Sequence, residues 1–160
     1  MKTLCVYSTR SGLTEKAVQR IAEKCGCETM LITDGKDYSG IFGYFKAAVR
    51  GLSKKLPVLK PYKSSLPIDQ YEKIIIAAPV WCEDICPFAK TFLKENKDKL
   101  KGEVYFVITH MSDLTYEEKI IKLKNQIAKS DFPHLSVKTH NNDYTDELDL
   151  FVNKNLLSEK

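Results

Sequence analysis

Apolar positions in this chain follow two alternating rhythms. Runs of consecutive apolar residues at Thr3–Tyr7, Lys73–Pro79 and Val104–Thr109 are bounded by polar, glycine or proline residues. That is the pattern of strands covered on both faces. Weaker runs at Glu28–Ile32 and Leu135–Thr139 supply two more strands. Between the runs, apolar residues recur at helical spacing. Thr14, Val18, Ile21, Ala22 and Cys25 form one such face, closed by Gly26 as a stop signal. Ile41, Tyr44, Phe45, Ala48, Val49, Leu52 and Leu56 form the next, up to a break at Pro57. Ile85, Phe88, Ala89, Phe92 and Leu93 predict a third helix, with Pro87 tolerated in its first turn. Thr115-Tyr116-Glu117-Glu118 has capping-box spacing and opens a fourth through Ile120, Ile121, Leu123, Ile127 and Ala128. Leu148, Phe151, Val152 and Leu156 mark the last. Five strands alternating with five helices predict an α/β protein, an open parallel sheet with helices on both faces. Residues 1–160 read as a single domain without internal repeats.

Composition narrows the setting. No apolar run approaches the ~20 residues that span a bilayer, so no membrane insertion is expected. Met1-Lys2-Thr3 leads straight into a strand without the apolar stretch of a signal peptide, which predicts a cytoplasmic protein. The five cysteines, at 5, 25, 27, 82 and 86, are then expected to be reduced. Net charge is +4 and unevenly placed. From Tyr38 to Ile68 there is no carboxylate, while Lys46, Arg50, Lys54, Lys55, Lys60 and Lys63 all fall there. Lys46, Arg50 and Lys54 are four apart and predict one helical stripe: a solvated face, a docking face for an anionic partner, or a site that captures a phosphorylated cosubstrate. Its aromatic neighbours are not interleaved with the cations, so nucleic acid is not expected as a partner.

In an open parallel sheet the ligand lies beyond the carboxyl ends of the strands, where strand order reverses. Three loops come together there. The first, Ser8-Thr9-Arg10-Ser11-Gly12-Leu13-Thr14, places hydroxyls and a glycine between strand and helix. Helix-start N–H groups and hydroxyls of this kind hold a phosphate. The stretch is neither a P-loop nor a three-glycine dinucleotide loop, because its single glycine is followed by Leu13. The second loop, Pro79-Val80-Trp81-Cys82, carries the only tryptophan, placed where a planar ligand could lie against it. The third, Thr109-His110-Met111-Ser112-Asp113, supplies polar and polarizable neighbours. A phosphate pocket beside an aromatic surface predicts a ligand with a phosphate tail and a flat ring.

Tyr7-Ser8-Thr9-Arg10-Ser11-Gly12-Leu13-Thr14 resembles the phosphate loop of flavodoxins, and Pro79-Val80-Trp81 with Pro87 and Phe92-Leu93 resembles their second flavin loop and following helix. The resemblance implies a three-layer flavodoxin-like sandwich with a five-stranded sheet in the order 2-1-3-4-5. It also implies FMN as cofactor. Ser8, Thr9, Arg10, Ser11, Gly12, Leu13 and Thr14 would surround the phosphate. Pro79, Val80, Trp81 and Cys82 would lie along the isoalloxazine ring, with Thr109, His110, Met111 and Asp113 closing its other side. Electron transfer through the flavin to a redox partner protein is the leading expectation. An NAD(P)H-dependent quinone or flavin reductase is the alternative, and a flavin-free partner-binding domain a third.

Other chemistries fit less well. Cys5 and Arg10 flank a strand-to-helix loop as in cysteine phosphatases, but only four residues intervene where five are needed, and Cys5 falls within the strand. A phosphoacceptor signalling domain would need acidic residues where Ser8-Thr9 and Ala78-Pro79 stand. Cys82 and Cys86 sit one helical turn apart, conceivably as a redox pair, with small-residue packing favoured in a reducing compartment. No metal site and no catalytic acid or base is assigned.

Overall fold

A computed structural model describes residues 2–53, 55–129, 131–139 and 144–157. Lys54 of the basic stripe and His140 lie outside the described residues. In chain order the elements are β1 (Thr3–Tyr7), α1 (Leu13–Cys25), β2 (Glu28–Leu31), α2 (Gly40–Leu52), β3 (Lys73–Trp81), β4 (Asp84–Ile85), α3 (Pro87–Asn96), β5 (Glu103–His110), α4 (Glu117–Gln126), β6 (His134–Lys138) and α5 (Thr145–Val152).

The five long strands pair in parallel in the order β2-β1-β3-β5-β6. This is the expected order 2-1-3-4-5 with one unexpected short strand inserted. β4 folds back on the end of β3, pairing Val80 with Ile85 and Trp81 with Asp84. Ile85 therefore belongs to a hairpin and not to the third helix, which begins at Pro87. The two turn residues, Cys82 (φ 49) and Glu83 (φ 60), are both left-handed, as a two-residue hairpin matched to strand twist demands.

Alternation along the central strands builds two cores. Ile74, Ile76 and Ala78 of β3 join Leu4, Val6, Phe106 and Ile108 on one face, packed under Phe88, Phe92, Ile120 and Leu123. Ile75 and Ala77 join Cys5, Tyr105 and Val107 on the other, under Val18, Ile21, Leu148 and Phe151. The continuous apolar run of β3 is thus explained: each side chain meets a helix. Arg20 of α1 donates to both carboxylate oxygens of Asp149 of α5, at 2.6 and 2.7 Å, and Lys24 lies 3.0 Å from the same group. Behind them, buried Lys73 donates to the carbonyls of Asn155 and Leu156, closing the C-terminal turn that continues from α5.

Two local expectations fail. The capping box at Thr115 does not form, because α4 begins at Glu117 with Tyr116 as its cap residue and no side-chain cap bond. Helix α2 is inverted relative to its apolar pattern. Its inward residues are Gly43 and Ala47, with Gly51 half-buried, while Ile41, Tyr44, Phe45, Val49 and Leu52 are exposed. The helix ends at Leu52, before Leu56. The cause is close backbone approach. A Cβ on Gly43 would lie 2.0 Å from the Tyr38 carbonyl carbon, and one on Gly51 2.8 Å from the Trp81 carbonyl oxygen. Arg50, placed on an outer stripe by its spacing, is instead half-buried and reaches Asp34 at 3.5 Å. Among the described residues no helix is long and apolar enough to cross a membrane.

Gly43→Ala is expected to cost about 1–3 kcal/mol in urea unfolding, the range for overpacking. Phe42→Ser, which removes a large exposed ring, is expected to stay within about 0.5 kcal/mol. The Arg20 hydrogen bonds, aided by Lys24, hold the Asp149 carboxyl down at about 2. A carboxyl depressed in the folded state stabilises above its ordinary value of ~4 and ceases to do so as pH falls towards 2. Asp149→Asn is therefore expected to lower the melting temperature at pH 7 and to flatten its decline between about pH 4 and 2, measured by calorimetry.

Candidate functional site

Strand order reverses between β1, whose neighbours are β2 and β3, and β3, which leads on to β5. Loops leaving the carboxyl ends of β1 and β3 must diverge to opposite faces, and a crevice opens between them. A cavity of about 560 Å³ lies there. It is of the size that takes a drug-sized or cofactor-sized molecule.

One wall is the loop after β1. Gly12 takes a left-handed conformation (φ 83) at the start of α1, which few other residues adopt without strain. Its N–H is taken by Thr9 Oγ1 at 3.0 Å. No side chain caps the helix, so the ordinary role for Ser11, a helix cap, is not taken up. The N–H groups of Leu13, Thr14 and Glu15 in the first turn have no intrahelical acceptor. Arg10, Ser11, Leu13 and Thr14 all line the cavity. Thr14 is buried and shares a hydrogen bond of 2.8 Å with Thr109 at the end of β5. That bond ties the first loop to the third.

The second wall is the hairpin. Pro79, Val80, Trp81, Cys82 and Glu83 line the cavity. Trp81 is only 4% exposed, with its ring centre 4.9 Å from Tyr38 and 5.2 Å from Phe88. It is a wall member embedded in an aromatic cluster, not an open platform. Its indole N–H is buried and has no hydrogen-bond partner among the described residues, while buried Ser8 lies against the Cys86 thiol. Cys82 is exposed and its thiol contacts the Ala48 carbonyl at 3.4 Å. Cys86 is buried before α3, where desolvation pushes its thiol up to about 12. The two sulfurs are therefore not successive turns of one helix.

The third wall is the loop after β5. Thr109, His110, Met111 and Ser112 line the cavity. His110 Nδ1 lies 3.0 Å from the Ser112 carbonyl, and its ring centre is 5.0 Å from that of Tyr116. Of the residues expected at the site, four stand outside the cavity lining. Ser8 is fully buried behind it, Thr9 turns back to Gly12, Gly12 itself shapes the turn, and Asp113 points away to Lys138.

The structure adds a fourth wall that the sequence did not indicate. Tyr44, Ala47 and Ala48 come from α2, and Tyr116 and Thr139 from farther along the chain. The Arg10 guanidinium lies over the Tyr44 ring at 5.4 Å, a cation–π contact that joins the first loop to α2. The lining thus combines Arg10 and the helix-start donors of the first loop with apolar and aromatic groups of the hairpin and α2. Among the described residues no cluster of three or more His, Cys, Asp or Glu side chains could hold a metal ion.

No protein-family model matches the chain, and no curated protein matches it. Solved structures do. A putative flavoprotein from Bacteroides eggerthii superposes with a TM-score of 0.75 at 15% identity, over 99% of each chain. A Lactobacillus acidophilus flavoprotein solved in complex with FMN gives 0.65 at 21% identity, over 92% of this chain and 98% of the other. A Streptococcus pneumoniae flavodoxin gives 0.54 at 11%, over 96% of both. The chain has the flavodoxin-like fold.

Thr109→Val would leave the Thr14 hydroxyl buried without its partner, at a cost of about 1–3 kcal/mol. Thr14→Val combined with Thr109→Val is expected to cost less than the sum of the single changes, read as a double-mutant cycle in urea unfolding.

Proposed function

We propose that this chain binds FMN in the cavity at the carboxyl ends of β1, β3 and β5 and serves as an electron-transfer flavoprotein. The observation that carries the reading is the make-up of that cavity, whose lining joins Arg10 and the first turn of an uncapped helix to the Pro79–Cys82 hairpin. The residues suit the group. A phosphate monoester wants a cation and several N–H donors, which Arg10, Ser11 and the first turn of α1 supply. A flat heteroaromatic ring wants an apolar slot with a few polar groups at its rim. Val80, Trp81, Ala47, Ala48 and Met111 provide the slot, and His110, Ser112 and Thr139 the rim.

Bound flavin supplies the chemistry, accepting a hydride or single electrons. The chain's own residues bind, orient and shield it. Helix-start N–H groups and Arg10 fix the phosphate, and Thr14 holds that loop to β5 through Thr109. The hairpin, left-handed at Cys82 and Glu83, would flank the ring. Glu83 places a carboxylate beside the cavity, which disfavours added negative charge on the ring. Tyr44 and Ala48 form the wall towards α2.

Lactobacillus acidophilus flavoprotein, with a comparable fold, was solved with FMN, and that supports the choice of ligand. Purified protein is expected to be yellow, with absorbance near ~450 nm and FMN released on denaturation. Ser11→Leu with Thr14→Leu is expected to lower FMN affinity at least about 100-fold, equivalent to ~2.7 kcal/mol, read by quenching of flavin fluorescence. Protein that stays colourless with excess FMN would refute the reading. Protein that oxidises NAD(P)H unaided in the presence of a quinone would be a reductase, and one reduced only through a second protein a carrier.

A further inference from the structure

We propose that α2 docks this protein on an anionic membrane surface, lying in the plane of the lipid headgroups without crossing the bilayer. The proposal starts from the inverted helix. Ile41, Phe42, Phe45, Val49 and Leu52 are 76, 84, 63, 71 and 75% exposed and share one outward face. Aromatic side chains alone carry ~150–250 Å² each, so the patch exceeds the few hundred Å² usual on a monomer. Rotation of the helix cannot bury it. Gly43 and Gly51 sit against the Tyr38 and Trp81 backbones at distances that admit no side chain. The helix is pinned by its small residues with its large ones turned out.

Charge selects the occupant. Between Tyr38 and Ile68 the chain has six cations and no carboxylate; Arg50 is paired with Asp34, and Asp37 stands near Lys46, which leaves the flank of α2 basic on balance. Lys46, on the exposed flank of α2, and Lys55, just beyond its end, are both exposed. Val58, beyond the helix, is exposed as well. An apolar helix face flanked by basic residues is the pattern of a helix lying in a membrane interface, held by hydrocarbon contact and by attraction to anionic lipid together. A specific protein interface carries about one hydrogen bond per ~100–200 Å². The side chains of Ile41, Phe42, Phe45, Val49 and Leu52 offer no donor or acceptor across the centre of this face. A hydrogen-bond-poor centre with Lys46 and Lys55 exposed beside it suits hydrocarbon beneath anionic headgroups.

The face adjoins the cavity. Tyr44 and Ala48 of the same helix line it. The proposal does not rest on the identity of the cavity's ligand, and its test needs none.

The test is co-sedimentation of the full chain with vesicles of phosphatidylcholine alone or with a quarter phosphatidylglycerol. Binding to the anionic vesicles is expected to exceed binding to neutral ones about tenfold and to fall at about 0.5 M salt. Phe42→Asp with Phe45→Asp is expected to reduce it at least about tenfold. Circular dichroism should be unchanged, because both rings are exposed. Lys46→Glu is expected to weaken binding to anionic vesicles only. Failure to sediment with either vesicle would overturn the proposal and return the face to a protein partner. Anionic binding that survives Phe42→Asp with Phe45→Asp would overturn it too, as adsorption elsewhere. So would a concentration-dependent dimer, seen by sedimentation velocity, that the same two substitutions dissolve.

Discussion

Burial of both faces of β3 is the constraint from which the remaining architecture follows. Ile74, Ile76 and Ala78 serve one core and Ile75 and Ala77 the other. A strand so covered offers no lateral surface to a polar ligand, so binding groups can only collect at its end. There the chain leaves the sheet in a tight hairpin, and neighbouring β1 leaves it through a hydroxyl-rich loop in the opposite direction. The cavity is what remains between two exits that diverge. The hydrogen bond from Thr14 to Thr109 then fixes how far apart the first and third loops stand.

What the sequence made legible follows the same logic. Long uninterrupted apolar runs can only be doubly covered strands, so β1, β3 and β5 and their parallel arrangement were readable, and with them the three loops at the carboxyl ends. The hairpin was not. Two residues of β4 are too few to show a period, and Cys82-Glu83 lacks the Asn-Gly signature of such turns. Asp113, next in sequence to the lining residue Ser112, pairs with Lys138 of the adjacent strand and does not line the cavity. The capping-box spacing at Thr115 was present, but Tyr116 is buried against His110 and starts the helix later.

Helix α2 shows a deeper limit of pattern reading. Periodicity reveals which residues share a face, and conventional expectation sends the large apolar face inward. Here contact distance decides otherwise. The loop at Tyr38 and the hairpin at Trp81 come so close that only glycine and alanine fit between them and the helix. Tyr44, Ala47 and Ala48 were therefore missed as cavity residues, and Arg50 was misplaced on an outer stripe although Asp34 holds it inward. Small residues at four-residue intervals, Gly43, Ala47 and Gly51, were the available signal.

The parallel sheet also sets an order in time. Leu4 pairs with Ile74, seventy positions farther on, whereas its other neighbour, Glu28, is close behind it. A chain emerging from the ribosome can form the β1–α1–β2 hook early, but the hook has no second neighbour until β3 has been made. Closing so long a loop must precede any reward from the contact, which slows folding. Through that interval the apolar edge of β1 stays open. The bend that follows it gains its final form only when Ala77 accepts the N–H of Ser8.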